Sequence, residues 1–250
     1  MNTQATIIGY GTMGQAIAEV LRHSGGIKVF AVGRNTKQDR AAKEIKKSAV
    51  VILAVKPQDA KEALGQFKNY FNRKTILISI MAGVPIKKIV SLSEHKKIVR
   101  MMPNLGLAVG EGIAVWKSAG LSVAERKNAK NFMDKITENF EVKNEDMINK
   151  ATAISGSGPA YFFLLAACML ETGQALGFKR TEGKKLVQKT LFAAAKLSQN
   201  ADYEGLIKQI ASKGGTTEAA LRTFEAHGLN KIVTKAVRAA FQRAKKLNHG

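Results

Sequence analysis

Ala5-Thr6-Ile7-Ile8-Gly9-Tyr10-Gly11-Thr12-Met13-Gly14 is the stretch that decides the fold. A short apolar run ends in glycines spaced G-x-G-x-x-G, and the amphipathic sequence Gln15 to Leu21 follows directly. The order strand, glycine turn, helix is that of a dinucleotide-binding unit. Gly9 permits the tight turn, Gly11 lets the backbone approach a pyrophosphate, and Gly14 lets the helix pack closely on its strand. A diphosphate would then sit against the N–H groups of a helix N-terminus.

A second apolar run, Ile27 to Val32, ends in Gly33-Arg34-Asn35-Thr36-Lys37. This corner lies nineteen residues beyond Gly14, where a site specific for NAD carries an acid for the ribose 2′-hydroxyl. No acid stands there. Arg34, with Asn35 to Lys37 behind it, offers donors and charge suited to a 2′-phosphate, which a guanidinium grips bidentately. The expected cofactor is NADPH, with NADH as the alternative if Arg34 and Lys37 are merely solvated charges at a helix start.

The 250 residues are 45% hydrophobic and 24% charged, the balance of a globular protein with one substantial core or two modest ones. No signal peptide or uninterrupted apolar span of membrane length is evident. The apolar stretch from Ala160 to Gly177 is broken by Tyr161, Glu171, Thr172 and Gln174 and reads as a buried bundle helix, so no membrane partner and a cytoplasmic location are expected. Cys168 is the only cysteine, which excludes an intrachain disulfide and suggests a small core residue. The four histidines lack metal-ligand spacing, so no metal is expected. Lys and Arg number 40 against 19 Asp and Glu, a net charge of +21 that attracts anions. These basic residues alternate with apolar ones at helical spacing and lack an aromatic stacking platform, which argues against a specific nucleic-acid reader.

Strand-like segments at Ala5–Ile8, Ile27–Val32, Ala49–Val55, Thr75–Ser79 and Ile98–Met102 alternate with helical patterns. That rhythm predicts an α/β Rossmann domain over residues 1–150, an open parallel sheet wound with helices. Between Arg34 and Ala49 there is room for one helix and no strand after it, so the sheet is expected to be one edge strand short. Strand ends at Lys56-Pro57, at Ser79-Ile80-Met81-Ala82-Gly83-Val84 and at Arg100-Met101-Met102-Pro103-Asn104 converge on one crevice, the usual ligand position. Residues 151–250 form an all-α domain, with helical periodicity near Pro159–Leu176, Thr181–Gln199, Tyr203–Ala211, Thr216–Glu225 and Leu229–Lys246. Its apolar faces exceed what it can bury alone, which predicts a second copy of the chain against it.

Two stretches of this half, Ser155-Gly156-Ser157-Gly158-Pro159-Ala160-Tyr161 and Ser212-Lys213-Gly214-Gly215-Thr216-Thr217-Glu218, read as loops opening helices. Each reads plainly as an N-cap and also as an anion site, with N–H groups, a positive dipole end and hydroxyls together.

Taken with the motif Leu53-Ala54-Val55-Lys56-Pro57-Gln58, these features resemble the pyrroline-5-carboxylate reductase family from end to end. The resemblance implies a Rossmann domain and a helical domain that interleaves with its twofold mate, often within rings of dimers. The activity implied is hydride transfer from NAD(P)H to C5 of 1-pyrroline-5-carboxylate, giving L-proline. By similarity, the nucleotide contacts Gly9, Gly11, Thr12, Met13, Gly14, Arg34, Asn35, Ala54, Val55, Lys56, Pro57 and Asn104. Met81, Ala82 and Gly83 would line the place where nicotinamide and pyrroline ring stack. The substrate carboxylate would meet Ser212, Gly214, Gly215, Thr216 and Thr217, largely from the partner subunit. Thr217 is the candidate catalytic residue, bonding the ring nitrogen; a threonine hydroxyl is too weak an acid to supply the proton alone, so its role is orientation. The chain departs from the family at Leu105-Gly106, where a threonine and a proline are usual, and at Lys213, where a proline is usual. Reduction of a related cyclic imine, or a nucleotide-binding paralogue without catalysis, are the alternative functions.

Overall fold

The computed structural model describes residues 3–199 and 201–247. They form two compact units, residues 3–157 with 239–247, and the described residues between 158 and 238.

In the first unit the chain runs β1 (Thr3–Ile8), α1 (Thr12–His23), β2 (Ile27–Val32), α2 (Gln38–Lys47), β3 (Val50–Leu53), α3 (Ala60–Phe67), β4 (Ile76–Ser79), α4 (Ile86–Ser93), β5 (Ile98–Pro103), β6 (Ile113–Ala119), α5 (Val123–Met133), β7 (Glu138–Glu141) and α6 (Glu145–Ala151). The sheet order is β2-β1-β3-β4-β5-β6-β7. Only β2 lies outside β1, because α2 leads straight to β3 on the other side of β1. Strands β3 and β4 are buried at every position, as continuous β-branched runs covered on both faces must be. Ile7, Ile52 and Ile78 stand in register and pack with Ile17 and Leu21 of α1 and with Phe132 and Met133 of α5. On the opposite face Ile8, Val51, Leu53 and Leu77 pack with Ile45 of α2, Leu64 of α3 and Ile89 of α4. The sheet is thus wound with helices on both faces.

Beyond β5 the parallel rhythm breaks. A 3₁₀ turn, Leu105–Val109, reverses the chain, so β6 runs antiparallel to β5, and β7 then adds parallel to β6. The two strands are locked by Trp116, whose Nε1 donates to Asn139 Oδ1 at 2.9 Å in the buried interior.

The second unit consists of α7 (Gly158–Ala175), α8 (Arg180–Leu197), α9 (Tyr203–Ile210), α10 (Thr216–Ala226) and the first part of α11 (Leu229–Leu247), whose residues from 239 onward rejoin the first unit. In the single chain α7 buries Gly158 alone, while Phe162, Phe163 and Leu164 are 61–67% exposed. Cys168, expected in a core, is exposed there too. Helices with apolar residues on all sides require a further layer of protein.

Residues 155–157 do not form the expected loop. Thr152–Gly156 make a π-helical turn that joins α6 to α7 in one helical run, Glu145–Ala175. The Ser155 hydroxyl donates to the Ala151 carbonyl and the Ser157 amide to the Thr152 carbonyl, so no helix N-terminus opens here for an anion. By length and composition that run could cross a bilayer.

Candidate functional site

The parallel register of β1, β3, β4 and β5 brings the turns after all four strands to one edge of the sheet. At its centre the glycine turn presses on the end of β3. Gly9 has φ +100°, and a Cβ built on it would fall 2.6 Å from the Ala54 carbonyl carbon and oxygen. The contact is sealed by the Gly9 amide donating to Val32 O at 3.0 Å and the Ala54 amide to Ile8 O at 2.7 Å. Gly14 is equally constrained, its absent Cβ lying 2.2 Å from the Gly9 carbonyl oxygen. Gly11 differs: nothing stands within 4 Å of where its Cβ would be. It is the N-cap of α1 and provides no side-chain cap, so the first-turn amides, including those of Thr12 and Met13, are left for a ligand. This open space before uncapped amides fits a dinucleotide diphosphate.

At the end of β2 the Gly33 amide donates to Thr36 Oγ1 and the Thr36 amide returns to Gly33 O, both at 3.0 Å. Thr36 is therefore committed to the turn, while Arg34 and Asn35 are exposed on it. Tyr10 lies beside this corner, its Cβ 3.7 Å from the position of a Cβ on Gly33, and Arg22 Nη1 donates to its hydroxyl at 3.3 Å. The pairing of Tyr10, in the turn before α1, with Arg22 near the helix end twelve residues on matches no motif in the sequence.

At the end of β3 Ala54 and Val55 are half-buried, Lys56 is exposed and Pro57 starts a 3₁₀ turn. After β4 the Met81 amide donates to Ser79 Oγ at 3.3 Å and the Val84 amide to Met81 O at 3.5 Å. Met81 is only 3% exposed and packs in the core, and Gly83 is buried, so Ala82 is the accessible residue of this trio. After β5 the Asn104 carboxamide oxygen accepts the Ile113 amide at 3.1 Å, and its NH₂ group has no partner among the described residues.

In the second unit α10 starts at Thr216 with Gly215 as N-cap and no side-chain cap. The Gly214 amide already donates to Glu218 Oε2 at 2.8 Å and the Gly215 amide to Ser212 O at 3.0 Å. The groups left for an anion are the Thr216 and Thr217 amides and the hydroxyls of Ser212, Thr216 and Thr217, which carry no side-chain bond among the described residues.

A glycine-turn nucleotide unit joined to a helical unit with uncovered apolar faces defines a two-domain dinucleotide-binding protein built to associate through its helices. Comparison with known proteins makes this specific. The family described as pyrroline-5-carboxylate reductase dimerisation matches residues 145–247, and the family described as NADP oxidoreductase, coenzyme F420-dependent, matches residues 4–83. Pyrroline-5-carboxylate reductase of Aquifex aeolicus is 33% identical over 96% of each chain, and that of Pseudomonas aeruginosa 32% identical over 82% of this chain and 77% of its own. The crystal structure of Plasmodium falciparum pyrroline carboxylate reductase with NADP bound aligns with a TM-score of 0.88 at 30% identity, covering 99% of this chain and 98% of that one. The chain belongs to the pyrroline-5-carboxylate reductase family, and its helical half is that family's dimerisation region.

Proposed function

We propose that this protein reduces 1-pyrroline-5-carboxylate to L-proline with NADPH as reductant. The observation that carries the reading is continuous kinship along the chain, with one family match over the glycine turn and the other over the Ser212–Thr217 turn. When bound, NADPH would supply a hydride from its nicotinamide to C5 of the ring, which enters as the protonated imine, so that the C=N bond becomes the C–N bond of the amine of proline with no further proton required. The protein's part is placement. The α1 amides around Gly11 hold the diphosphate, Arg34 and Asn35 hold the 2′-phosphate, and Ala54 to Pro57 with Asn104 flank the nucleotide. The turn at Met81 to Gly83 backs the nicotinamide. The Thr216 and Thr217 amides, with the Ser212 and Thr216 hydroxyls, receive the carboxylate, and the Thr217 hydroxyl orients the ring nitrogen. Holding two reactants in contact in this way removes about 7–11 kcal/mol of barrier, enough that no strong acid need come from a side chain.

The helical unit forms the homodimer, and we take the exposed face of α7 as buried by the partner rather than by lipid, in a cytoplasmic protein whose dimers assemble into a ring. The test is NADPH oxidation by the purified protein with racemic pyrroline-5-carboxylate, repeated with NADH and with the six-membered piperideine carboxylate. Turnover fastest with NADPH and the five-membered ring is expected. Binding of NADPH without turnover of either imine would overturn the reading in favour of a non-catalytic paralogue, and preference for the larger ring would reassign the substrate.

A further inference from the structure

The turn between β4 and α4 holds itself weakly, its internal hydrogen bonds being the 3.3 and 3.5 Å contacts of Met81 and Val84, at the limit of useful length. It is gripped instead from two sides by residues far away in sequence. On one side stands Leu247 of α11. Gly83 has φ +71°, and a Cβ on it would fall 2.2 Å from Leu247 Cβ and 3.0 Å from the Leu247 carbonyl carbon, so helix end and turn meet backbone to backbone. On the other side stands Glu145 of α6, whose Oε1 accepts the Ile86 amide at 2.9 Å and Arg100 Nη1 at 2.9 Å. Arg100 is 2% exposed on β5, and its Nη2 donates to Asn149 Oδ1 at 2.9 Å, which fixes α6 against the sheet.

We infer that Glu145 and Leu247 are positioning residues for the nicotinamide end of the cofactor: they set where the Met81–Val84 backbone stands without touching either reactant. The inference rests on the proposed function in one respect, that this turn backs the nicotinamide. The two grips also share a feature of chain path. The α6 residues run on through the π-helical turn into the second unit at Gly158, and the α11 residues return from it at Ala239. Both crossings of the chain between the units therefore adjoin elements that end on this one turn. A displacement of about 1 Å in a backbone that presents one reactant to another lowers turnover on the order of a hundredfold, so such grips act on the chemical step and only weakly on nucleotide affinity, which the glycine turn and Arg34 carry.

The test compares Glu145→Ala, Glu145→Gln and Leu247→Gly, which removes the Cβ that meets Gly83, with the native protein, by amide hydrogen exchange of the peptide spanning residues 80–86 and by steady-state kinetics with [4-²H]NADPH. Glu145→Ala and Leu247→Gly should speed exchange of that peptide about tenfold and lower kcat by about ten- to a hundredfold. They should leave the Kd for NADPH within about threefold and raise the deuterium isotope effect on kcat as hydride transfer becomes limiting. Glu145→Gln keeps an oxygen that accepts from Ile86 and Arg100 and should recover most of both losses. Met133→Ala, a cavity on the far face of the sheet, should lower Tm yet leave the exchange of this peptide and the kcat per folded molecule unchanged. Unchanged exchange in both deletion variants, or faster exchange with native kcat and isotope effect, would overturn the inference. If the native protein binds NADPH but reduces no imine, the proposed function fails on its own, and protection of the 80–86 peptide by NADPH, lost in the variants, still decides the grip.

Discussion

Replacing Gly9 and Gly11 one at a time with alanine separates what the glycine turn does for the fold from what it does for the ligand. At Gly9 the new Cβ would lie 2.6 Å from the Ala54 carbonyl, against the 3.4 Å at which ordinary contact begins, and both partners are backbone. Relief requires the turn and the end of β3 to part by about 0.8 Å, and the φ of +100° adds strain of about 1–2 kcal/mol for any residue with a Cβ. The Ala54 to Ile8 hydrogen bond at 2.7 Å spans the same gap, and weakening it adds about 0.5–1.5 kcal/mol. Gly9→Ala should therefore lose about 2–3 kcal/mol of stability, or roughly 5–10 °C in Tm at this size. Because the first-turn amides of α1 shift with it, NADPH affinity should fall about thirtyfold or more. Gly11→Ala meets nothing within 4 Å in the protein alone, so its Tm without ligand should stay within about 1 °C, while under the proposed function its methyl group would stand in the path of the diphosphate and should weaken NADPH at least as much. Thermal unfolding without ligand and NADPH titration by fluorescence read the two effects apart. Native stability in Gly9→Ala, or native affinity in Gly11→Ala, would refute the reasoning from the turn.

Four further outcomes follow from the site and the core. Arg34→Ala should weaken NADPH about ten- to a hundredfold, the worth of a charge-assisted pair, while leaving the KM for NADH unchanged; equal losses with both nucleotides would place Arg34 elsewhere. Thr217→Val, nearly isosteric, should lower kcat about tenfold with native NADPH binding, and unchanged turnover would remove the orienting role. Phe163→Glu, on the exposed face of α7, should convert the dimer to monomer by light scattering, because a carboxylate there would be buried unpaired. His95 is held neutral: burial pushes its pKa below the ordinary 6.5, reinforced by Lys97 and opposed by its bond to the Thr75 carbonyl. The unfolded chain thus takes up the proton first, so this contribution is whole above pH 6.5 and is lost as pH falls from 6.5 toward the lower folded value. His95→Gln should flatten the denaturation free energy against pH over that window, and a slope equal to the native one would deny His95 the role.

Much of the nucleotide half was legible because its signals are local. Strands β3 and β4 are short, almost wholly apolar runs, and a run buried on both faces looks the same in sequence as in space, while β1, β2 and β5 stay mainly apolar around Thr6, Lys28 and Arg100 and lead into glycine or Pro103-Asn104. The five helices after residue 157 were readable for a similar reason, and their surplus of apolar residues, such as Phe162 to Leu164, was visible as composition before any partner was known. The strands β6 and β7 were not read. After β5 the winding leads one to expect a helix, yet the chain turns back at once, and β7 is four residues, Glu138 to Glu141, in which the buried side chain of Asn139 serves Trp116 rather than a hydrophobic pattern. The serine and glycine run at Ser155 was misread as a helix start because the residues that cap an N-terminus also bond back to a preceding carbonyl, and in a π-helical turn they do so without ending the helix.

The site shows the same division between local and distant causes, and it explains which residues a motif can reveal. Gly14 meets the Gly9 carbonyl and Gly33 closes on Thr36, contacts between residues a few positions apart, so their spacing carries their meaning, while Gly9 also meets Ala54 at the end of the neighbouring strand. The paired glycines at Gly214 and Gly215 also stand in a motif, but the structure commits both of their amides to Glu218 and Ser212, so that under the proposed function the carboxylate falls to the two threonines that follow. Glu145, itself held by Arg100, and Leu247 meet the segment from Gly83 to Ile86 from two separate helices, and no spacing in the chain could announce a meeting that only the closed fold creates. A chemistry that asks its protein for placement rather than for acids and bases puts its decisive residues among such distant contacts. That places the burden of testing this protein on geometry-sensitive measurements, isotope effects and exchange at the turn, more than on the removal of any single polar side chain.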